Sequence, residues 1–112
     1  MTKFLVLYHS PVSSAEQMGS MTPEQAKEGM DLWMSWAGRT GEGLVEFGMP
    51  LGDGMTVTPD GASPSKGHIT GYSIIQAESL DEAVNLVKDH PHFHAPKGSA
   101  VEVIEFAPMP GM

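Results

Sequence analysis

The sequence predicts an α+β fold of ferredoxin-like type, a βαββαβ chain whose antiparallel sheet carries both helices on one face. Three observations lead there. Four apolar stretches, Lys3 to His9, Leu44 to Gly48, His68 to Ala77 and Ala100 to Ala107, have the β-branched and aromatic content of strands. Two helical patterns, opened by capping residues at Thr22 and Ser79, separate the first strand from the second and the third from the fourth. Right-handed crossovers then leave one simple arrangement of the four strands. At 112 residues the chain is expected to be a single domain, near the small end of what folds alone.

The first strand, KFLVLYH, is apolar on both alternating faces, Phe4, Val6 and Tyr8 on one and Leu5 and Leu7 on the other. Ser10-Pro11 ends it, and Val12 to Met21 reads as a polar loop with Met18 and Met21 as anchors. Thr22-Pro23-Glu24-Gln25 is a capping box with proline at the first helical position, where its missing N–H does no harm. The helix it opens runs to about Gly38. Ala26, Met30, Trp33 and Ala37 share its apolar stripe, with Gly29 and Trp36 beside them and Glu24, Glu28, Asp31 and Ser35 opposite. Core packing is the ordinary reading of the stripe, and Trp36, at its edge, is the indole expected to face a ligand.

LVEFG follows as a short strand, and residues 49–67 as a long glycine- and proline-rich connection. Within it MTVT reads as an edge hairpin strand, with Pro59-Asp60-Gly61 as the turn. GYSIIQA is the third sheet strand. In Ser79-Leu80-Asp81-Glu82 the serine hydroxyl is expected to accept from the Glu82 N–H while the Glu82 carboxylate reaches back to the cap. Leu80, Ala83, Val84 and Val87 form the stripe of this second helix, Pro91 stops it, and AVEVIEFA is the last strand. Two helices cover one face of a sheet whose KFLVLY and GYSII strands are apolar on both. A second copy of the chain, sheet against sheet, is therefore expected to cover the other face.

Composition removes several functions. A net charge of −8 with six scattered basic residues argues against nucleic acid. Without cysteine there is no disulfide framework, thiolate nucleophile or zinc ribbon, as suits a reducing cytoplasm. No secretory leader or membrane-spanning run is apparent. Gly48 to Gly54, GMPLGDG, lacks the Lys-Ser/Thr ending of a phosphate loop, the serines lack an elbow motif, and Glu102 and Glu105 face opposite sides of their strand. No cofactor fingerprint is present.

The topology gathers the histidines. His9 ends the first strand, His68 opens the third, and His90, His92 and His94 leave the second helix, all at one pole of the sheet. In an extended HPHFH segment the three rings would share one side. Three readings stay open there. With Asp89 and Asp53 the rings have the chemistry of a metal site, although no HExxH or cysteine framework supports one. His90 or His92 beside Asp89 can act as general acid or base. Solvated histidines at a helix C-terminus are favourable in their own right. His9 reads equally as a pocket residue or a capping side chain.

TPEQ leading into the Trp33 and Trp36 pair, GLVEFGMPLG, GHITGYSIIQAESLDEAV, the His90-Pro91-His92 exit and AVEVIEFAPM together resemble the YCII-related family, close to its DGPF-type members. The resemblance spans Lys3 to about Met109. It implies a dimeric α+β barrel, with two ferredoxin-like sheets packed face to face and a pocket in each subunit. For the family a His-Asp pair has been suggested as the active centre, and one branch is a dehydrochlorinase acting on a chlorinated hydroxyquinol. In the best-known branch the candidate histidine lies on the first helix. Here no histidine occurs between Ser10 and Gly67, and Asp60-Gly61 continues as Ala62-Ser63 where the DGPF signature would stand. Any shared chemistry would then use His90 or His92 with Asp89.

The expectation is thus a cytoplasmic homodimer, joined through its sheet faces, that binds a small ring-shaped or aromatic molecule between first helix and sheet. Met30, Trp33 and Trp36 would supply apolar contact, and His9, Tyr72, His90 and His92 would orient the ligand. If catalytic, the reaction is a cofactor-independent elimination or isomerisation with His90, His92 and Asp89 as the acid/base group, needing no metal. The alternative is a non-catalytic small-molecule sensor or interaction module.

Overall fold

The computed structural model describes residues 1–65, 68–94 and 98–110, apart from the side chains of Ser14 and His94. Strand β1 (Thr2–His9) is central, because it is the strand most apolar on both faces. It pairs antiparallel with β5 (Ile69–Ala77) on one side and β6 (Ala100–Glu105) on the other, and β2 (Leu44–Glu46) adds to the far edge of β5. The order β2-β5-β1-β6 is the ferredoxin-like arrangement expected from the element order.

The long helix α2 (Pro23–Thr40) begins at a complete capping box. The Thr22 hydroxyl accepts from the Gln25 N–H at 3.1 Å, and the Gln25 side chain accepts from the Thr22 N–H at 3.0 Å. Helix α3 (Leu80–Val87) has half of that arrangement. Ser79 accepts from the Glu82 N–H at 3.2 Å, but the Glu82 carboxylate accepts from Glu78, one residue earlier than the box requires, at 3.1 Å. The core lies where both helices meet the Phe4, Val6, Tyr8, Ile75 and Ala77 face of the sheet, filled by Trp36, Ala83 and Val87. Leu5 and Leu7 point the other way, opposite Ile74 and Tyr72 on β5 and Ile104 and Glu102 on β6.

Between these landmarks one element differs from expectation and one, the hairpin strand, is as expected. Part of the Val12 to Met21 loop is a short helix, α1 (Ser14–Gly19), capped by Ser13 accepting from the Glu16 N–H at 3.1 Å. The MTVT strand is β3 (Met55–Thr58), and it pairs with β4 (Gly61–Pro64) in a separate two-stranded hairpin whose residues are all exposed. The exit from α3 differs as well. The helix ends at Val87, ahead of Pro91, and residues 91–94 wind into a 3₁₀ turn. This overturns the extended reading of HPHFH: the backbone of His90 bonds back to Val87 at 3.1 Å and that of Phe93 to His90 at 3.1 Å, so the segment lacks the strand alternation on which that reading rests.

Candidate functional site

A cavity of about 290 Å³ opens between α1, α2 and the Tyr8 end of the sheet. Sequence spacing builds its walls. Ala26, Gly29, Met30 and Trp33 recur at helical intervals on α2, and the small pair at 26 and 29 leaves the space that Met30 and Trp33 border. Met18 and Met21 close one side from α1 and the turn after it, and Phe47 to Pro50 close the other. That second wall lies against β5: Pro50 bridges to Gly71, and the Leu51 N–H donates to the Thr70 carbonyl at 3.0 Å. Gly48 permits the approach. Its φ is +85°, and a Cβ there would sit 1.8 Å from the Tyr72 carbonyl oxygen.

Among the described residues the lining is mostly apolar, with polar exceptions at Tyr8, Gln17, Thr70, Tyr72 and His92, and it contains no Lys, Arg, Asp or Glu. Tyr8 spends its hydroxyl within the wall. Ser73 donates to the Phe47 carbonyl at 2.6 Å, so the Tyr8 hydroxyl donates to Ser73 Oγ at 2.7 Å. Burial pushes the phenol up to about 12 despite that bond, which keeps it a neutral donor.

His92 is the imidazole on the wall. Its Nε2 donates to the backbone carbonyl of His9 at 2.8 Å, which leaves Nδ1 as the lone-pair nitrogen. Burial holds its pKa below the usual histidine range, partly offset by the bond to His9 and assisted by the His9 charge, so the ring is neutral at pH 7. A neutral ring with a fixed tautomer can accept a proton at Nδ1 or hold a hydroxyl or amine donor there.

His90 stands behind the wall. Its ring centroid lies 4.2 Å from that of Trp36, 4.4 Å from Trp33 and 4.7 Å from Tyr8, and the residue is only 1% exposed. Nδ1 accepts from the His92 backbone N–H at 2.9 Å, which assigns the proton to Nε2. Nε2 is enclosed and has no hydrogen-bond partner among the described residues, so the surrounding rings offer it only π density. Burial first, then the charges of His92 and Arg39, pull its pKa down to about 3. His90 thus fixes the turn that presents His92 without touching the cavity.

The remaining expected residues divide. Met30 and Trp33 line the cavity, whereas Trp36 is 2% exposed and donates its indole N–H to the Leu86 carbonyl at 2.9 Å. The roles of the two indoles are therefore exchanged. A helical wheel finds the stripe, but the placement of α2 across the sheet decides which part of it meets core. Tyr72 borders the cavity, although by strand alternation its ring is on the opposite sheet face, with its hydroxyl donating to Glu46 at 3.1 Å. That bond, with the Glu46 charge, raises the Tyr72 pKa. His9 also points to the open face and bonds Glu102 at 2.8 Å; only its carbonyl serves the site. Asp89 is exposed and edges a separate recess with Arg39 and Asn85, and among the described residues nothing links it to either imidazole. His68 is exposed, its carbonyl accepting from the Ser10 N–H at 2.8 Å, and the ring of His94 lies outside the described residues.

Sequence reasoning missed Gln17, Phe47 and Thr70. The Ser13 to Glu16 spacing, Ser-x-x-Glu, was the available signal for α1 and so for the Gln17 and Met18 wall. Among the described residues no group of three or more histidine, aspartate or glutamate side chains is placed to hold a metal, and no helix is long and apolar enough to cross a membrane.

Topology and site together define a ferredoxin-like α+β domain that opens an apolar cavity at the histidine end of its sheet. The chain belongs to the YCII-related domain family, whose model matches residues 4–107. No curated protein matches it.

Proposed function

We propose that this chain is a single YCII-related domain, residues 1–112, that binds a small, uncharged, ring-shaped or aromatic molecule between α2 and the sheet. His92 orients the ligand and exchanges a proton with it at Nδ1. The observation that carries this reading is the neutral, tautomer-fixed His92 imidazole on a wall otherwise dominated by Trp33, Phe47 and methionine thioethers. Among the described residues the lining carries no charged side chain, which disfavours carboxylate or phosphate ligands, whose desolvation it would not offset. The matching chemistry is cofactor-independent elimination or isomerisation, which needs one acid/base group and a shaped pocket. His90 is a positioning residue in this scheme, and Asp89 would need to reach the cavity to take part.

One observation favours the sensor reading beside it. No described carboxylate reaches His92 to raise its basicity, as suits a group that recognises a donor without removing its proton. The open sheet face, with Leu5, Leu7, Ile74 and Ile104 on adjacent strands, supports a homodimer joined through the sheets. The lack of cysteine is in keeping with a cytoplasmic home.

A thermal-shift screen of neutral phenols, quinols and lactones against wild type and His92→Ala tests the site. Hits that raise the wild-type melting point and fail to raise that of His92→Ala are expected. Equal shifts in both proteins would remove His92 from the site. Incubating each hit with wild type and following its absorbance separates the enzyme, which consumes the compound, from the sensor, which returns it unchanged.

A further inference from the structure

Among the described residues, the hairpin of β3 and β4 is an arm with all of its residues exposed. A two-stranded hairpin is marginal alone in water, and one apolar face needs cover to hold it. The register gives this hairpin such a face: Met55 opposes Pro64 and Val57 opposes Ala62, while Thr56 opposes Ser63 on the other side. Yet Met55 is 60% exposed and Val57 75% exposed. The radius of gyration is 15.5 Å, against roughly 13 Å expected for a compact chain of this length. The Ser65 N–H donates to the Gly54 carbonyl at 2.9 Å and closes the base of the arm, and residues 50 and 51, ahead of it, are pinned to β5.

We propose that the apolar face of this arm packs on a second copy of the chain, in the same twofold association that pairs the open sheet faces. The inference rests on that dimer reading and extends it to a second contact. Four strands about 4.8 Å apart, with about six residues each, present a plane of roughly 400 Å². A stable association takes about 800 Å² of accessible surface from each partner, so contact beyond this footprint would strengthen the dimer. The arm can supply more. Four paired residues per strand reach about 14 Å, beyond the ~10 Å spacing of packed sheets. Charge selects the occupant as well. In a chain of net charge −8, the arm carries Asp60 at its tip and no charge on the Met55 and Val57 face, so it can approach an equally acidic twin. Twofold symmetry then buries both arms at once.

Sedimentation equilibrium on the full chain, with near-ultraviolet circular dichroism to confirm folding, tests this against three exposed-site variants. Wild type is expected to be a dimer that Ile104→Asp, on the open sheet face, dissociates. Val57→Asp, counted on both arms, is expected to raise the dimer Kd about a hundredfold. Thr56→Asp, on the arm's polar face, is expected to stay within about threefold of wild type. A dimer whose Kd is unmoved by Val57→Asp, or moved equally by Thr56→Asp, overturns the arm contact and leaves the sheet-face dimer standing. A monomeric wild type, or a dimer indifferent to Ile104→Asp, overturns the sheet-face reading and the arm with it.

Discussion

His90 and His92 flank a single proline, yet they occupy opposite environments. One is sealed among Trp33, Trp36 and Tyr8 with an enclosed Nε2 that has no partner among the described residues, and the other stands on a cavity wall with its Nε2 tied to a backbone carbonyl. Residue type does not separate them, and neither does sequence distance. The 3₁₀ turn separates them: both rings pack on Tyr8, but only His90 reaches in between Trp33 and Trp36, and only His92 meets the cavity. The sealed ring is fitted to hold structure and the wall ring to meet a ligand. The link between them is short, the His92 N–H donating to His90 Nδ1.

This contrast is open to several tests. The largest effect is expected from His90→Ala, which empties the space between two indoles and a phenol and strands the His92 N–H; a loss of about 3 kcal/mol in denaturant titration is the expected outcome. A loss below about 1 kcal/mol would mean that the cluster does not depend on the ring.

Acid sharpens the same point. A histidine in the unfolded chain titrates near 6.5, whereas folded His90 is held at about 3. Between those values the unfolded chain binds the proton that the folded chain excludes, so stability is full above about pH 6.5 and falls as pH drops toward 3. The slope from His90 is about 1.4 kcal/mol per pH unit. His92, also lowered by burial, adds to the loss in the same direction. Denaturant midpoints measured from pH 7 to 4 should fall more steeply for wild type than for His90→Phe, and parallel curves would show that His90 does not carry the effect.

Tyr8→Phe is a smaller change. It removes the donor to Ser73 while Ser73 keeps its bond to the Phe47 carbonyl, so a cost of about 1 kcal/mol is expected by thermal or chemical unfolding. Smallest is Glu102→Gln, which breaks only the half-exposed pair with His9 on the far sheet face; the expected change is below about 0.5 kcal/mol, with ligand shifts unaltered. A large loss of ligand response there would tie the two faces together.

Much of this architecture was legible because local signals agreed with one another. Two-faced apolarity marked β1 as central, and Thr22 and Ser79 marked the starts of the two main helices at which their side chains do cap. The pole shared by His9, His68 and His92 followed from topology and appears as backbone bonds: His92 to the His9 carbonyl, and Ser10 to the His68 carbonyl. What was not legible depended on rotation about an axis. Trp33 and Trp36 lie on one stripe, and which of them meets the cavity is set by how α2 lies on the sheet. His90 and Asp89 are adjacent in sequence, but the end of α3 at Val87 turns the imidazole inward and leaves the carboxylate outside. Periodicity along a chain does not report such turns.

The central claim is that His92 presents a neutral imidazole to the cavity, protonated at Nε2 with its lone pair at Nδ1, while His90 is closed off behind the wall. Nitrogen-15 NMR of the imidazole rings reads this directly. At pH 7.5 both rings should be neutral with the proton on Nε2, and the His90 Nε2 proton should exchange with water far more slowly than any other ring proton. A charged His92 at that pH, or a His92 proton found on Nδ1, would contradict the account.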